Sequence, residues 1–196
     1  MTIPEFKEKL QTIHQTLFSE EALDNNEADQ SYFDVLYPFA TSLNKNVYPF
    51  FAFREESEST IEFIFNNRVA DLFMVSKDHM FADDPMVYIK TKAQWESFEF
   101  SLSTLLLTEY VNWIAENTSS KLEFRLEGYA MYVRIKKNWN QFFNPFSYPD
   151  KIWIGKELKS VILIQNEIGM LKCIAIDAGN LQIAQKLLEE SHITET

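Results

Sequence analysis

A chain of 196 residues that is 46% hydrophobic and 15% aromatic can bury a substantial core, and its four glycines and six prolines build no flexible linker. The lone cysteine, Cys173, excludes an internal disulfide and a multi-cysteine metal site and suits a reducing compartment. A formal charge of −11 disfavours nucleic acid and anionic membrane as partners. The chain therefore reads as one domain, 1–196. The cytoplasm is the expected location, because residues 1–8 carry carboxylates where an export signal needs a basic and then an apolar segment. The apolar runs 48–53 and 161–164 are also far short of the roughly twenty residues that span a bilayer.

The charge is unevenly spread. Residues 1–118 hold 20 acidic and 8 basic side chains, whereas 119–196 hold 9 and 10. An acidic N-terminal three-fifths permits a basic partner steered in electrostatically; the alternative is that the acidity keeps an aromatic-rich protein soluble.

Ile3, Phe6, Leu10, Ile13 and Leu17 step by three and four, which predicts an opening helix with Pro4 in its first turn. Residues 19–29, with five carboxylates and two asparagines, read as an exposed loop. Helical spacing returns over 32–43 through Phe33, Leu36 and Phe39 or Ala40, in a helix that Pro38 shortens or kinks. From Val47 the pattern turns to strands at 48–53, 60–65, 69–75 and 86–89, spaced for an antiparallel meander rather than crossover units. Residues 101–117 form the clearest helix, with Ser101 at its start and Leu102, Leu105, Leu106, Tyr110, Trp113 and Ile114 on a broad apolar face laid across the sheet.

Beyond it, 121–137 alternates as two strands, through Leu122, Phe124 and Leu126 and then Tyr129, Met131, Val133 and Ile135, with Gly128 as a bend. Short strands at 152–154, 159–165 and 170–176 follow, the last two joined by a hairpin turn at 166–169. Asn180 caps a closing helix through Leu181, Ile183, Ala184, Leu187 and Leu188. The fold class is α+β: a mainly antiparallel sheet packed against a long central helix, with helices at both ends.

Residues 83–88, Asp-Asp-Pro-Met-Val-Tyr, then Trp95, then Ser-Leu-Ser-Thr-Leu-Leu-Leu at 101–107, resemble the segment leading into the long helix of the bacterial polymorphic-toxin immunity proteins, especially the SUKH-like ones. Residues 153–164, 169–178 and the helix from Asn180 resemble that family's final hairpin and terminal helix. These phrases touch about half the chain; the first strands lack the glycine and proline markers of many such proteins. The resemblance implies an intracellular protein that binds a cognate toxin and blocks it without chemistry of its own.

The residues with chemical potential fit that picture. Asp78, His79, Asp83 and Asp84 offer cation ligands, but Asp83-Asp84-Pro85 reads first as a turn, and the other histidines, His14 and His192, lie far away in sequence, so no metal is assigned. Cys173 lies in an apolar strand, no Gly-x-Ser-x-Gly elbow exists, and four dispersed glycines make no phosphate cradle, so no catalytic residue and no cofactor is assigned either. Residues 134–143 interleave cations with aromatics as single-stranded nucleic acid sites do, yet the net charge opposes that use and a strand end explains the pattern.

What remains is acid. Glu20, Glu21 and Asp24, then Glu55, Glu56 and Glu58, then Asp83 and Asp84 are solvated loop residues by default. Under the resemblance they are the candidate surface for a basic toxin domain, with Tyr48 and Phe81 as anchors if exposed. The competing expectations are a small enzyme assembled from scattered Asp, Glu and Tyr residues, and a scaffold subunit with a large apolar patch.

Overall fold

The computed structural model describes residues 1–18, 31–43, 50–65, 71–80, 84–92, 94–118, 121–125, 128–143, 151–155, 159–167 and 170–177, together with Gln182, Gln185 and Lys186. The class is α+β, with two antiparallel sheets among the described residues where one was expected. Composition predicts one domain over 1–196; the chain gathers into two compact units, Met1–Gln11 with Ala22–Ile114, and Thr12–Glu21 with Ala115–Thr196.

Helix α1 (Ile3–Phe18) begins on a reciprocal capping box. The Thr2 amide donates to Glu5 Oε2 at 2.8 Å, and the Glu5 amide reaches Thr2 Oγ1 at 3.4 Å. The expected stripe is in place, because Phe6, Leu10, Ile13 and Leu17 are all buried. Helix α2 (Tyr32–Leu43) starts on Ser31, whose Oγ accepts the Asp34 amide at 3.2 Å and donates to the Asp34 carboxylate at 2.8 Å. Pro38 sits inside this twelve-residue helix.

The first sheet is a meander of β1 (Phe51–Glu56), β2 (Thr60–Phe65), β3 (Phe73–Ser76), β4 (Met86–Thr91) and β5 (Gln94–Ser101), each strand paired with the next. Register brings phenylalanines together on one face: Phe51 opposite Phe65, Phe53 opposite Phe63, and Phe63 opposite Phe73. Phe33 of α2 sets its ring edge-on to Phe53 and Phe63, with centroids 5.2 and 5.1 Å away. Aromatic pairs of this geometry contribute about 0.5–1.5 kcal/mol each beyond the area they bury. This is how the chain disposes of much of its phenylalanine content.

A short turn of helix, α3 (Lys77–Met80), follows β3. Helix α4 (Leu102–Asn117) appears where predicted, but no side of it is exposed over residues 102–115. Ser103, Thr108, Glu109 and Asn112 are buried along with Leu105, Leu106, Leu107, Tyr110, Val111 and Ile114. Burial all round distinguishes it from an amphipathic helix with one face in water.

The second unit holds β6 (Lys121–Arg125), α5 (Gly128–Asn138), β7 (Asn140–Phe143), β8 (Lys151–Gly155), β9 (Ser160–Glu167) and β10 (Met170–Asp177), in the sheet order β6-β10-β9-β8-β7. Ile152, Trp153 and Ile154, like Val161, Ile162, Leu163 and Ile164, are buried without alternation, as suits inner strands covered on both faces.

The strand predicted through Tyr129, Met131, Val133 and Ile135 is overturned, because these residues lie in α5. Ile135 and Trp139, four apart, are buried, whereas Val133, two before Ile135, is 43% exposed. A strand would have put Val133 and Ile135 on one face; a helix separates them. The Trp139 indole donates to Ser160 Oγ at 3.3 Å, tying the end of the helix to β9.

The hairpin between β9 and β10 is present, with Glu167 opposite Met170, and its tip, residues 168–169, lies outside the described residues. So does most of the helix predicted from Asn180, of which Gln182, Gln185 and Lys186 are helical and exposed.

Candidate interaction surface

Of the predicted acidic residues the structure describes Glu55, Glu56, Glu58 and Asp84. Glu20, Glu21, Asp24 and Asp83 lie outside the described residues, as do the proposed anchors Tyr48 and Phe81. Glu55 lies in β1, its backbone opposite Glu62 of β2 just past a register shift at Arg54. Glu56 ends β1, and Glu58 stands exposed in the turn that follows.

Asp84 proves to be a structural ligand. Its side chain is 11% exposed and its carboxylate is crowded with donors. The Met1 ammonium, Ser101 Oγ and Ser103 Oγ approach Oδ2 at 2.6, 2.7 and 2.6 Å, and the Ser103 amide reaches Oδ1 at 2.9 Å. The Leu102 amide bonds the Pro85 carbonyl at 2.8 Å. Two of the amides that a helix start leaves without an intrahelical acceptor are thus satisfied by the turn at 84–85. Asp84 adopts a left-handed conformation at φ 52°, which aspartate tolerates better than most residues. Its own amide donates to the Tyr32 hydroxyl at 3.1 Å, and that hydroxyl donates to the Met1 carbonyl. The predicted Asp-Pro turn is real, but it serves α4 and leaves little of Asp84 for a partner.

The β1–β2 hairpin is different. Ser57 organises its turn: Oγ accepts the Thr60 amide at 2.9 Å and the Ser59 amide at 3.2 Å, and the Ser57 amide bonds the Thr60 carbonyl at 3.0 Å. The Lys77 amide holds the Ser59 carbonyl at 2.8 Å from the neighbouring β3–α3 junction. Glu56 is 64% exposed, with Lys77 Nζ 2.7 Å from its Oε1. A solvent-facing pair of this kind contributes little stability and is readily exchanged for another cation.

Two exposed aromatics lie outside the acidic clusters. Phe53 of β1 is 52% exposed and Tyr37 of α2 is 63% exposed. The Phe33 ring touches that of Phe53, and Tyr37 follows Phe33 by four residues in α2. Asp34 is exposed three residues before Tyr37. Tyr37 falls off the Phe33, Leu36, Phe39 stripe, so its exposure was readable from spacing; Phe53 sits in an apolar run and gave no such sign.

Among the described residues no group of three or more His, Cys, Asp or Glu side chains is placed to hold a metal ion, and no helix is long and apolar enough to cross a membrane. No protein-family model, curated protein or solved structure matches the chain.

Proposed function

We propose that this chain is a protein-binding module that acts without chemistry of its own, neutralising a basic partner of the toxin class by occluding it. The β1–β2 hairpin is the observation that carries this reading. Glu56 and Glu58 are presented on a turn whose backbone is already hydrogen-bonded, so little ordering has to be added on association. Negative charge displayed this way raises the association rate with a basic surface and selects against acidic ones. The resemblance of residues 83–88, 95 and 101–107 to the SUKH-like immunity proteins supplies the toxin class of the partner.

The deciding experiment is capture of partners by the tagged protein in its source cells, followed by co-expression with each recovered partner. A basic protein that arrests growth alone, and is harmless beside this chain, supports the proposal. Recovery of nothing, or of partners harmless by themselves, sinks it.

A further inference from the structure

Register gives the first sheet one covered face and one open one. Phe63, Phe73, Val75 and Val87 share a side by pairing and alternation, and all four are buried. The other side carries Glu62, Met74, Tyr88 and Ser97, directly opposite one another in turn on β2, β3, β4 and β5. None of these four is buried, and Met86, two residues before Tyr88 on β4, is 56% exposed. Three strand spacings make the row about 14 Å wide. Ile64, two residues beyond Glu62 on the same side of β2, is buried and bounds the open area.

The solvated face of an antiparallel sheet ordinarily carries polar side chains, whereas two methionines and a tyrosine are adaptable contact material. The charges around them give the face a direction. Among the described residues no cation pairs with Glu62 at the β2 side. Lys90, two residues beyond Tyr88, is turned onto Trp95 of β5, its Nζ 5.4 Å from the ring centre. An occupant therefore meets a carboxylate at one end and a cation at the other. Strands β3 and β4 are paired on both edges, so a segment laid over them finds no free backbone to bond and has to satisfy its own. An α-helix does so, and its diameter of about 10–12 Å fits the row.

We infer that the open face of the first sheet seats an amphipathic helix of the basic partner, its apolar stripe on Met74, Tyr88 and Met86 and a cation against Glu62. This rests on the protein-binding reading above and adds to it the surface used and the kind of segment recognised. Lys90 keeps its place over Trp95 and turns away helices with the opposite polarity.

The test uses the full chain and two capped helical peptides, each with a leucine stripe, flanked by lysines in one and by glutamates in the other. Methionine methyl and tryptophan indole NMR signals follow each titration. The lysine peptide should bind and shift the Met74 and Met86 methyls, and the glutamate peptide should bind far more weakly. Met86→Asp should weaken the lysine peptide roughly tenfold, because a carboxylate would be stripped of water under the leucine stripe. So exposed a side chain is not needed for folding, which keeps that variant interpretable. Glu62→Lys should narrow the preference for the lysine peptide. Methyl signals that stay in place, equal affinity for the two peptides, or lysine-peptide binding unmoved by Met86→Asp overturns the inference. A toxin partner captured equally well by wild type and Met86→Asp would remove this surface while leaving the proposed function standing. Lysine-peptide binding that Met86→Asp abolishes, beside failure to capture any toxin, would keep the surface and sink that function.

Discussion

Asp84 holds both the amide and the hydroxyl of Ser103, at 2.9 and 2.6 Å, so the start of α4 is closed by a residue that precedes it by a whole β-hairpin. Ser101, in the position normally taken by a helix cap, donates its own hydroxyl to the same carboxylate. The cap is tertiary rather than local. It joins the first residue of the chain, the Asp-Pro turn and the buried helix in one polar cluster.

Replacing Asp84 with alanine removes the acceptor of the Met1 ammonium, the Ser101 and Ser103 hydroxyls and the Ser103 amide. Loss of a capping carboxylate costs about 0.5–2 kcal/mol, and hydrogen bonds to a charged group about 1.5–3 kcal/mol, so Asp84→Ala should lower unfolding stability by about 2–3 kcal/mol. Asp84→Asn, which keeps an oxygen for the Ser103 amide, should fall between the two. Urea denaturation at neutral pH measures the series, and an unshifted midpoint for Asp84→Ala would remove the capping role.

The helical assignment of α5 makes two neighbouring apolar residues unequal. Ile135→Ala should cost about 2–5 kcal/mol, as for a filled core position, while Val133→Ala should stay within about 0.5 kcal/mol of wild type. Equal penalties would point back to a strand. The same denaturation experiment decides it.

Acid should loosen the beginning of α1. The Thr2 amide bonded to Glu5, then the Thr2 hydroxyl, lower the carboxyl of Glu5 below its ordinary value of 4.5. A lowered folded-state value means that the capping box contributes above the unfolded pKa and is lost as pH falls through the folded one. A carboxyl NMR titration should place the Glu5 midpoint below 4.5, and Glu5→Gln should abolish the linked change in the Thr2 amide signal. A Glu5 midpoint at or above 4.5 would contradict the reciprocal cap.

Ser57 links stability to recognition. Ser57→Ala removes the acceptor for two turn amides and should destabilise the hairpin by about 1 kcal/mol. With a basic partner it should slow association less than Glu56→Lys with Glu58→Lys, because the charges remain. Stopped-flow measurements at low and high salt separate the two: charge reversal should lose its effect as salt rises, and Ser57→Ala should not.

Much of the architecture was legible wherever local spacing and burial agree. The stripe from Phe6 to Leu17, the meander signs through Phe65 and the apolar runs of β8 and β9 each state their own environment. The failures have distinct causes. Strand β5 carries no plain sign in the sequence, because Trp95, Phe98 and Phe100 do not keep one parity; its pairing with β4 shifts register between Met86 and Tyr88. Helix α5 mimics a strand in sequence because four apolar residues alternate by chance, while the decisive pair, Ile135 and Trp139, spans the end of the run. The role of Asp84 was half visible: the turn could be read locally, its service to Ser103 could not. Of the candidate surface, Glu56 and Glu58 were legible as charge in a turn, whereas Phe53 was not, since what covers an apolar side chain is decided by tertiary packing.

The order of strands in the second sheet carries a consequence for biosynthesis. In the first sheet every strand pairs with the one made just before it, so hydrogen bonding can follow the chain as it leaves the ribosome. Strand β6, ending at Arg125, has β10, beginning at Met170, as its neighbour, and must wait until the intervening helix and three strands have been synthesised. Non-local pairings of this kind are slow to form and leave strand edges open meanwhile. The C-terminal unit is therefore the part of the nascent chain most in need of a chaperone, and truncation before Met170 would leave it with an edge it cannot close.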